Sequence, residues 1–370
     1  MSQPGRGQHR AASSSKNSSN SSPFMVVVFL ILIVVAVYLL ISNFLSPGGK
    51  HATTAATTSS VAKTANSATT STSSTSSTTT TQVFNGPYGV GTVSYTLTEP
   101  GKYLCAPHGT DSGCVVRSMP LEVSYPTLVQ TGTEVQGAAP YGGAGPYPLI
   151  IFGNGYLEPP AAYSVLIDHW VSRGYVVAAP QFPLSQTNSV GGPYEADILN
   201  QPGDMAAAIK FMERQNGIAN STMKDLIDTS AIALVGQSDG GDAALAAGYN
   251  TCCQIPGIKG VISLSGAELK SYSGKYFTTG GPSLLVVQGT EDDINPPSQS
   301  EMTYDQADVT KFYLSLLGAG HLDAYTQANQ YSSVVEKVTT AFLNRYLKNI
   351  SGSVSLMHTY GNIPGVASLN

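Results

Sequence analysis

Residues 83–370 predict an α/β fold: a doubly wound, mostly parallel, eight-stranded sheet with helices on both faces. Short apolar runs alternate with helical patterns throughout this stretch, which is the signature of strand–helix–strand units. A glycine-rich turn, GQSDGG, sits between one such run and a small-residue helix, and an amphipathic helix closes the segment. No internal repeat is visible.

The first two strands are expected near Gly91–Thr98 and Leu121–Tyr125, an antiparallel start joined by a loop that holds Cys105 and Cys114. Leu149–Phe152 reads as a buried strand, followed by a helix from about Ala161 to Arg173 that Gly174 closes. Tyr175–Ala179 is the next strand, and Asp204 is placed to cap a helix from Met205 to about Gln215. Ile232–Val235 leads through Gly236 into a helix over Gly240–Gly248. Val261–Leu264, Leu284–Val287 and Phe312–Leu316 complete the sheet, and Val334–Leu347 is the closing helix. His358 is read as part of a polar tail beyond it, and His169 as a helix-surface residue.

Ahead of this domain the composition changes twice. Residues 1–23 are polar and Ser-rich, with Arg6, Arg10 and Lys16 and no acid. Residues 24–45 begin FMVVVFLILIVVAVYLLI, an uncharged stretch close to the roughly 20 residues that span a hydrocarbon core. A cleaved signal peptide would have an apolar core of about 7–15 residues and a small-residue cleavage site. Ser42-Asn43-Phe44-Leu45 offers no such site, so the stretch is read as a transmembrane signal anchor. Positive charge before it, with only Lys50 and Lys63 after it, predicts a single-pass protein with a cytoplasmic N-terminus and an extracytoplasmic domain. Residues 46–82, rich in Ser and Thr, cannot bury enough apolar surface to offset ordering entropy and are expected to form a disordered linker.

Charged residues make up only 11% of the chain and the net charge is −5, which excludes a nucleic-acid binder: there is no basic excess to neutralise phosphates. The four cysteines include no CxxC pair of the kind that holds zinc. An extracytoplasmic domain tolerates disulfides. Cys105 and Cys114 flank the short loop APHGTDSG and are the expected pair, worth about 2–3 kcal/mol. Adjacent Cys252 and Cys253 are either free buried thiols or a vicinal bridge.

The most specific feature is Gly236-Gln237-Ser238-Asp239-Gly240, a G-x-S-x-G between an expected strand and an expected helix. A tight turn there needs glycines where side chains would collide, and it lifts Ser238 Oγ clear of the sheet edge. A nucleophilic serine needs a base, and the base an orienting carboxylate, in the chain order serine, acid, histidine. After Ser238 the histidines are His321, directly behind a strand in GAGHLDAY, and His358 in the tail; His321 is the expected base. GTEDDINPP follows another strand and offers Asp292, with Asp293 as its main competitor and Glu291 behind both; position favours Asp292. Two backbone N–H groups are expected to form the oxyanion hole: that of Asp239, and that of Tyr156 in Gly153-Asn154-Gly155-Tyr156.

Together these residues resemble the α/β-hydrolase superfamily, and within it the dienelactone-hydrolase and platelet-activating-factor acetylhydrolase-like branch, related to the cutinase-like polyester hydrolases. The resemblance runs through RSMPLEVSYP at 117–126, GPYPLIIFGNGY at 145–156 and SRGYVVAAPQ at 172–181, then GQSDGG, GTEDDINPP and GAGHLDAY. It implies Ser238, Asp292 and His321 as triad and Tyr156 and Asp239 as oxyanion donors. Relatives often have His where Asn154 stands, and His or Trp where Gln237 stands; these two residues are expected at the substrate-pocket rim. The polyester hydrolases carry a Trp in the loop after the strand that follows the nucleophile. Here that loop, SLSGAELKSYSGKYF, has none, and the only tryptophan is Trp170, which argues against polyester cleavage.

The expected function is a membrane-anchored serine hydrolase acting on a small-molecule or lipid-like carboxylic ester, with no metal or organic cofactor. The fold also permits a silent surface-binding domain, and the same serine permits acyl transfer or peptide cleavage.

Overall fold

The computed structural model describes residues 86–370, apart from 111, 112 and 279. The expected cytoplasmic tail, anchor and linker lie outside the described residues. Among the described residues no helix is long and apolar enough to cross a membrane.

Seven consecutive buried residues, Tyr147–Gly153, form strand β4. A strand buried on both faces belongs in the middle of a sheet covered by helices on each side. The sheet has ten strands: β1 (Gly89–Thr110), β2 (Gly113–Thr127), β3 (Val135–Gln136), β4, β5 (Val176–Pro180), β6 (Ile227–Gln237), β7 (Ile258–Leu264), β8 (Ser283–Gly289), β9 (Lys311–Leu316) and β10 (Ala367–Leu369). Their spatial order is β10-β9-β8-β7-β6-β4-β5-β2-β1-β3. Strands β5, β4, β6, β7, β8 and β9 are mutually parallel, with antiparallel β2 and β10 laid on the two sides.

The helices are α1 (Ser164–Ser172), α2 (Gln201–Gly217), α3 (Asp239–Tyr249), α4 (Pro297–Gln306), α5 (Gln330–Tyr346) and α6 (Ser353–Gly361). Side chains alternate along each strand, and this splits the core in two. Ile150, Phe152, Val235 and Leu264 pack with α1, α5 and α6, whereas Leu149, Ile151, Leu234 and Val261 pack with α2 and α3. The parallel core and the helices on both faces match the expected class.

The expected count of eight strands is corrected to ten. β3 and β10 are too short to carry a periodic signal. The expected loop around the first cysteines is instead an extension of the β1–β2 hairpin, in which Cys105 pairs opposite Cys114 and the two are disulfide-bonded. Cys252 and Cys253 are also bridged to each other, and Cys252 is exposed rather than buried. The polar tail that holds His358 is helix α6.

Asp204 is not a cap. It lies inside the first turn of α2, with no exposed surface, beside the equally buried Arg117 of β2. The guanidinium donates through Nε to Asp204 Oδ1 at 2.8 Å and through Nη1 and Nη2 to Asp197 Oδ1 and Oδ2 at 2.9 and 2.7 Å. Glu99 lies 3.6 Å from the same guanidinium and also pairs with Lys102 at 2.7 Å. This network clamps the hairpin to α2 and to the turn before it.

Removing Arg117 would leave Asp197, Asp204 and Glu99 away from water with only Lys102, among the described residues, to offset their charge. Arg117→Met should cost about 3–5 kcal/mol, read as a lower urea midpoint at neutral pH; a loss under about 1 kcal/mol, the range of an exposed pair, would show that the clamp does not hold the hairpin.

Candidate active site

β4 sends its chain to β5 on one side, while β6 lies on its other side, so the strand order reverses between β4 and β6. In open α/β sheets the crevice at the carboxyl ends of strands flanking such a switch point is where ligands bind. The loop after β4 and the turn after β6 meet there.

β6 ends at Gln237 and α3 begins at Asp239, leaving Ser238 as the only residue of the turn, at φ 53° and ψ −124°. A serine there is strained. The turn closes because a Cβ on Gly236 would strike the Gly240 carbonyl, and a Cβ on Gly240 would strike the Gly153 carbonyl of β4. Ser238 N–H donates to Leu264 O at 2.9 Å and ties the turn to β7.

Ser238 Oγ lies 3.0 Å from His321 Nε2, and His321 Nδ1 lies 3.0 and 2.9 Å from Asp292 Oδ1 and Oδ2. An ionised carboxylate only accepts, so Nδ1 carries the proton and Nε2 is the acceptor, facing both the serine hydroxyl and Gln237 Nε2 at 3.2 Å. The loop after β9, which holds His321, reaches the loop after β8, which holds Asp292, because Gly289 has no Cβ to strike the Ala319 carbonyl.

Asp292 is buried, and its Oδ1 also accepts from Ile294 N–H at 3.1 Å and Asn295 N–H at 2.9 Å. Gln288 Nε2 donates to Oδ2 at 3.0 Å, and Ser300 Oγ donates to Gln288 Oε1 at 2.6 Å. Burial pushes the Asp292 carboxyl up, but the His321 and Asn295 hydrogen bonds outweigh it and hold it below the ordinary 3.8. Asp293 and Glu291 are exposed. The geometry brings Asp292 to His321 and sends its competitor into solvent.

The loop after β4 lies against the serine, since a Cβ on Gly155 would come 3.3 Å from Ser238 Cβ. Among the described residues no group accepts a hydrogen bond from the backbone N–H of Tyr156 or of Asp239.

Asn154 and Gln237, expected at the pocket rim, are both fully buried and support the site from behind. Asn154 Nδ2 donates to Gly155 O at 2.9 Å and Glu158 O at 2.8 Å, pinning its own loop. Gln237 Oε1 accepts from Tyr163 OH at 2.8 Å, and its Nε2 donates to His321 O at 3.2 Å, so it steadies the imidazole loop. Both amides turn inward to partners in the fold, though Asn154 Oδ1 has none among the described residues.

Three supporting residues escape the sequence reading: Tyr163, Gln288 and the Asp239 side chain. Gln288 carries a signal in retrospect, a lone amide in the apolar run SLLVVQG just before the acid loop. The Asp239 carboxyl is 8% exposed, and its Oδ2 is buried with no partner among the described residues. Burial pushes it up to about 7; the Glu195 charge adds to the rise and His321 opposes it.

Residues 129–264 match the family model described as Chlorophyllase, which includes Ser238 and stops before Asp292 and His321. Cutinase 2 of Thermobifida cellulosilytica is 27% identical over 262 residues, covering 67% of this chain and 87% of that protein. Cutinase cut1 of Thermobifida fusca is 27% identical over 262 residues, covering 67% and 72%. Chlorophyllase-1 of Arabidopsis thaliana is 27% identical over 160 residues, covering 42% and 44%.

Between an ordinary 3.8 and about 7, Asp239 is protonated when folded and ionised when unfolded. Unfolding then releases a proton, so stability falls as pH rises through that window. Asp239→Asn should abolish this fall and raise stability near pH 7 by up to about 4 kcal/mol, the equivalent of a three-unit shift. Urea unfolding at pH 4, 5.5 and 7 checks it; a wild-type-minus-variant difference that stays constant across the three would contradict the buried-acid account. Asp292, held low, has the opposite sign: its contribution is present above 3.8 and is lost as pH falls through its lowered value.

Proposed function

Because the chain belongs to the α/β-hydrolase superfamily, we propose that it is a serine hydrolase of carboxylic esters that works through an acyl-enzyme. The observation that carries this reading is the continuous chain of hydrogen-bond distances from Ser238 Oγ through His321 to Asp292. The nearby relatives are cutinases and a chlorophyllase, ester-cleaving enzymes by name, which supports an ester as the substrate class.

In this mechanism His321 Nε2 takes the Ser238 proton as Oγ attacks the ester carbonyl, and Asp292 steadies the imidazolium that forms. The carbonyl oxygen, now negative, accepts from the N–H groups of Tyr156 and Asp239; a donor of this kind is typically worth about 10²–10³ in rate. His321 then protonates the departing alcohol. Water then attacks the acyl carbon while giving its proton to the same nitrogen, and the Oγ–acyl bond breaks as His321 returns that proton to Ser238 Oγ, releasing the acid. The substrate is a small-molecule or lipid-like ester.

The protein is further read as anchored through residues 24–45, with residues 1–23 in the cytoplasm and the hydrolase domain outside, on the charge asymmetry about the apolar stretch. Protease added to intact cells should release the domain by cutting within 46–82; a domain that stays protected would reverse the orientation.

Ser238→Ala should lose ester turnover and fluorophosphonate labelling while keeping its unfolding midpoint. Asp292→Asn should lower kcat by about 10²–10⁴, as when a triad aspartate becomes an amide, and Asp293→Asn by less than about tenfold, as expected of an exposed residue. Labelling of Ser238 without turnover on a nitrophenyl-ester panel would favour acyl transfer, and absence of labelling would favour a silent binding domain. A larger loss at Asp293 than at Asp292 would overturn the choice of acid.

A further inference from the structure

A second cavity, of about 480 Å³, opens where the C-terminal ends of α1 and α5 meet α6. Both helices start at the end of the sheet that carries Ser238 and run to the opposite end, so the cavity lies a full strand length from the serine. Its wall contains Arg173, which caps α1, with Lys337 of α5 and Lys348 just beyond α5. No acidic residue among the described ones lines it. Glu336, the neighbour of Lys337, is bonded to His169 Nδ1 at 3.0 Å. None of the three cations has a carboxylate within ion-pair distance among the described residues.

Helix ends explain part of this arrangement. Arg173 Nη1 donates to His169 O at 3.2 Å and Lys348 Nζ to Arg173 O at 2.8 Å, so each cation serves a terminal carbonyl of α1. Arg173 Nη1 also donates to Ser172 Oγ at 3.2 Å and Lys348 Nζ sits 3.8 Å over the Tyr175 ring. Yet both keep further donors and both are partly desolvated: burial lowers Arg173 from its ordinary value against the Glu336 charge, and pulls Lys348 down to about 8. A desolvated cation with no directly paired carboxylate is unfavourable.

Two more groups in the same wall are left unsatisfied. His169 and Thr340 are each 7% exposed, and His169 Nε2 and Thr340 Oγ1 have no partner among the described residues. Buried polar atoms in native proteins are nearly always paired. His169, expected on the helix surface, is thus a buried residue with one nitrogen committed to Glu336 and the other open. The rest of the wall is apolar, with Ala341 and Tyr360 behind and Ile350 and Leu356 about half exposed at its edge.

We infer that this cavity binds a small amphiphilic anion: a carboxylate or phosphate head against Arg173, Lys337 and Lys348, with a short apolar chain along Ile350, Leu356 and Tyr360. The cations supply charge, the unpaired hydroxyl and imidazole nitrogen lie behind them, and the apolar side sets a preference for a chain over a bare ion.

The chain contains its own reporter. Trp170 is its single tryptophan, sits beside His169 and donates through its indole N–H to Thr339 Oγ1 at 2.9 Å, next to Thr340. Hexanoate titrated into the full chain should give a saturable change in Trp170 fluorescence, while hexanol, acetate and inorganic phosphate at equal concentration give at least about tenfold weaker responses, since loss of either charge–hydrogen-bond pairing or the apolar chain removes a comparable share of binding. Ser238→Ala should bind hexanoate unchanged, which separates this cavity from the catalytic centre. Arg173→Gln with Lys348→Gln should weaken binding at least about tenfold. The exposed Lys337→Gln, which leaves the core untouched, should weaken it about two- to fivefold, in line with one surface charge. No saturable change, an equal response to hexanol, loss of binding in Ser238→Ala, or unaltered affinity in Lys337→Gln would each overturn the assignment.

Discussion

The backbone folds back on itself at Ser238, and the rest of the site is arranged around the space that this turn requires. Strand β6 must stop and helix α3 must start with one residue between them, so the two backbones cross at a distance that no Cβ permits at Gly236 or Gly240. β4 has to run alongside closely enough for its Gly153 carbonyl to meet Gly240, which fixes where the loop carrying Tyr156 emerges. A strained φ of this kind persists only when its surroundings over-determine it. Here they do so through the ties to Leu264 and through the helix that begins at the next residue.

That turn was legible because its determinants are local. Six residues, with a strand before them and a helix after, specify the turn, and the parallel strand order then places a later acid and a later histidine on neighbouring loops. His321 and Asp292, 83 and 54 residues beyond the serine, could therefore be located from their position behind strands. What could not be read depends on burial. The hairpin tip carries a polar run that looks like a loop, and only its pairing across Cys105 and Cys114 makes it a strand. Asp204 resembles a helix cap until Arg117, 87 residues earlier, is folded against it. Asn154 and Gln237 occupy rim positions in the chain, yet their amides turn inward, because the direction of a side chain is set by partners such as Tyr163 that no local pattern announces.

The charge distribution at the turn works against itself. Asp239, the first residue of α3, carries a carboxyl whose Oδ2 has no partner among the described residues. Burial keeps it neutral over much of the acidic range, at a cost that grows as the solution becomes less acidic. Asp242, one turn further along α3, is wholly buried and is pushed up in the same way, with its Oδ1 accepting from Ala267 N–H at 2.5 Å. The start of α3 thus combines an electropositive helix end with two acids held close to their neutral form, while Asp292, on the far side of the imidazole, is held ionised.

The sheet ends in its two shortest strands. β10 on one edge has three residues and presents only a short row of amide groups, whereas β3 on the other has two and covers only Gly91 and Thr92 of the much longer β1. Long, flat edges invite another molecule to add a strand, and natural sheets avoid this by shortening or covering them. β10 is additionally held against α6, where a Cβ at Gly361 would overlap Leu369. A ten-stranded sheet would otherwise be a large template for self-association. The β10 side is finished in this way and gives a neighbouring copy little to continue, while on the other side the stretch of β1 beyond Thr92 is the border that a neighbour could extend.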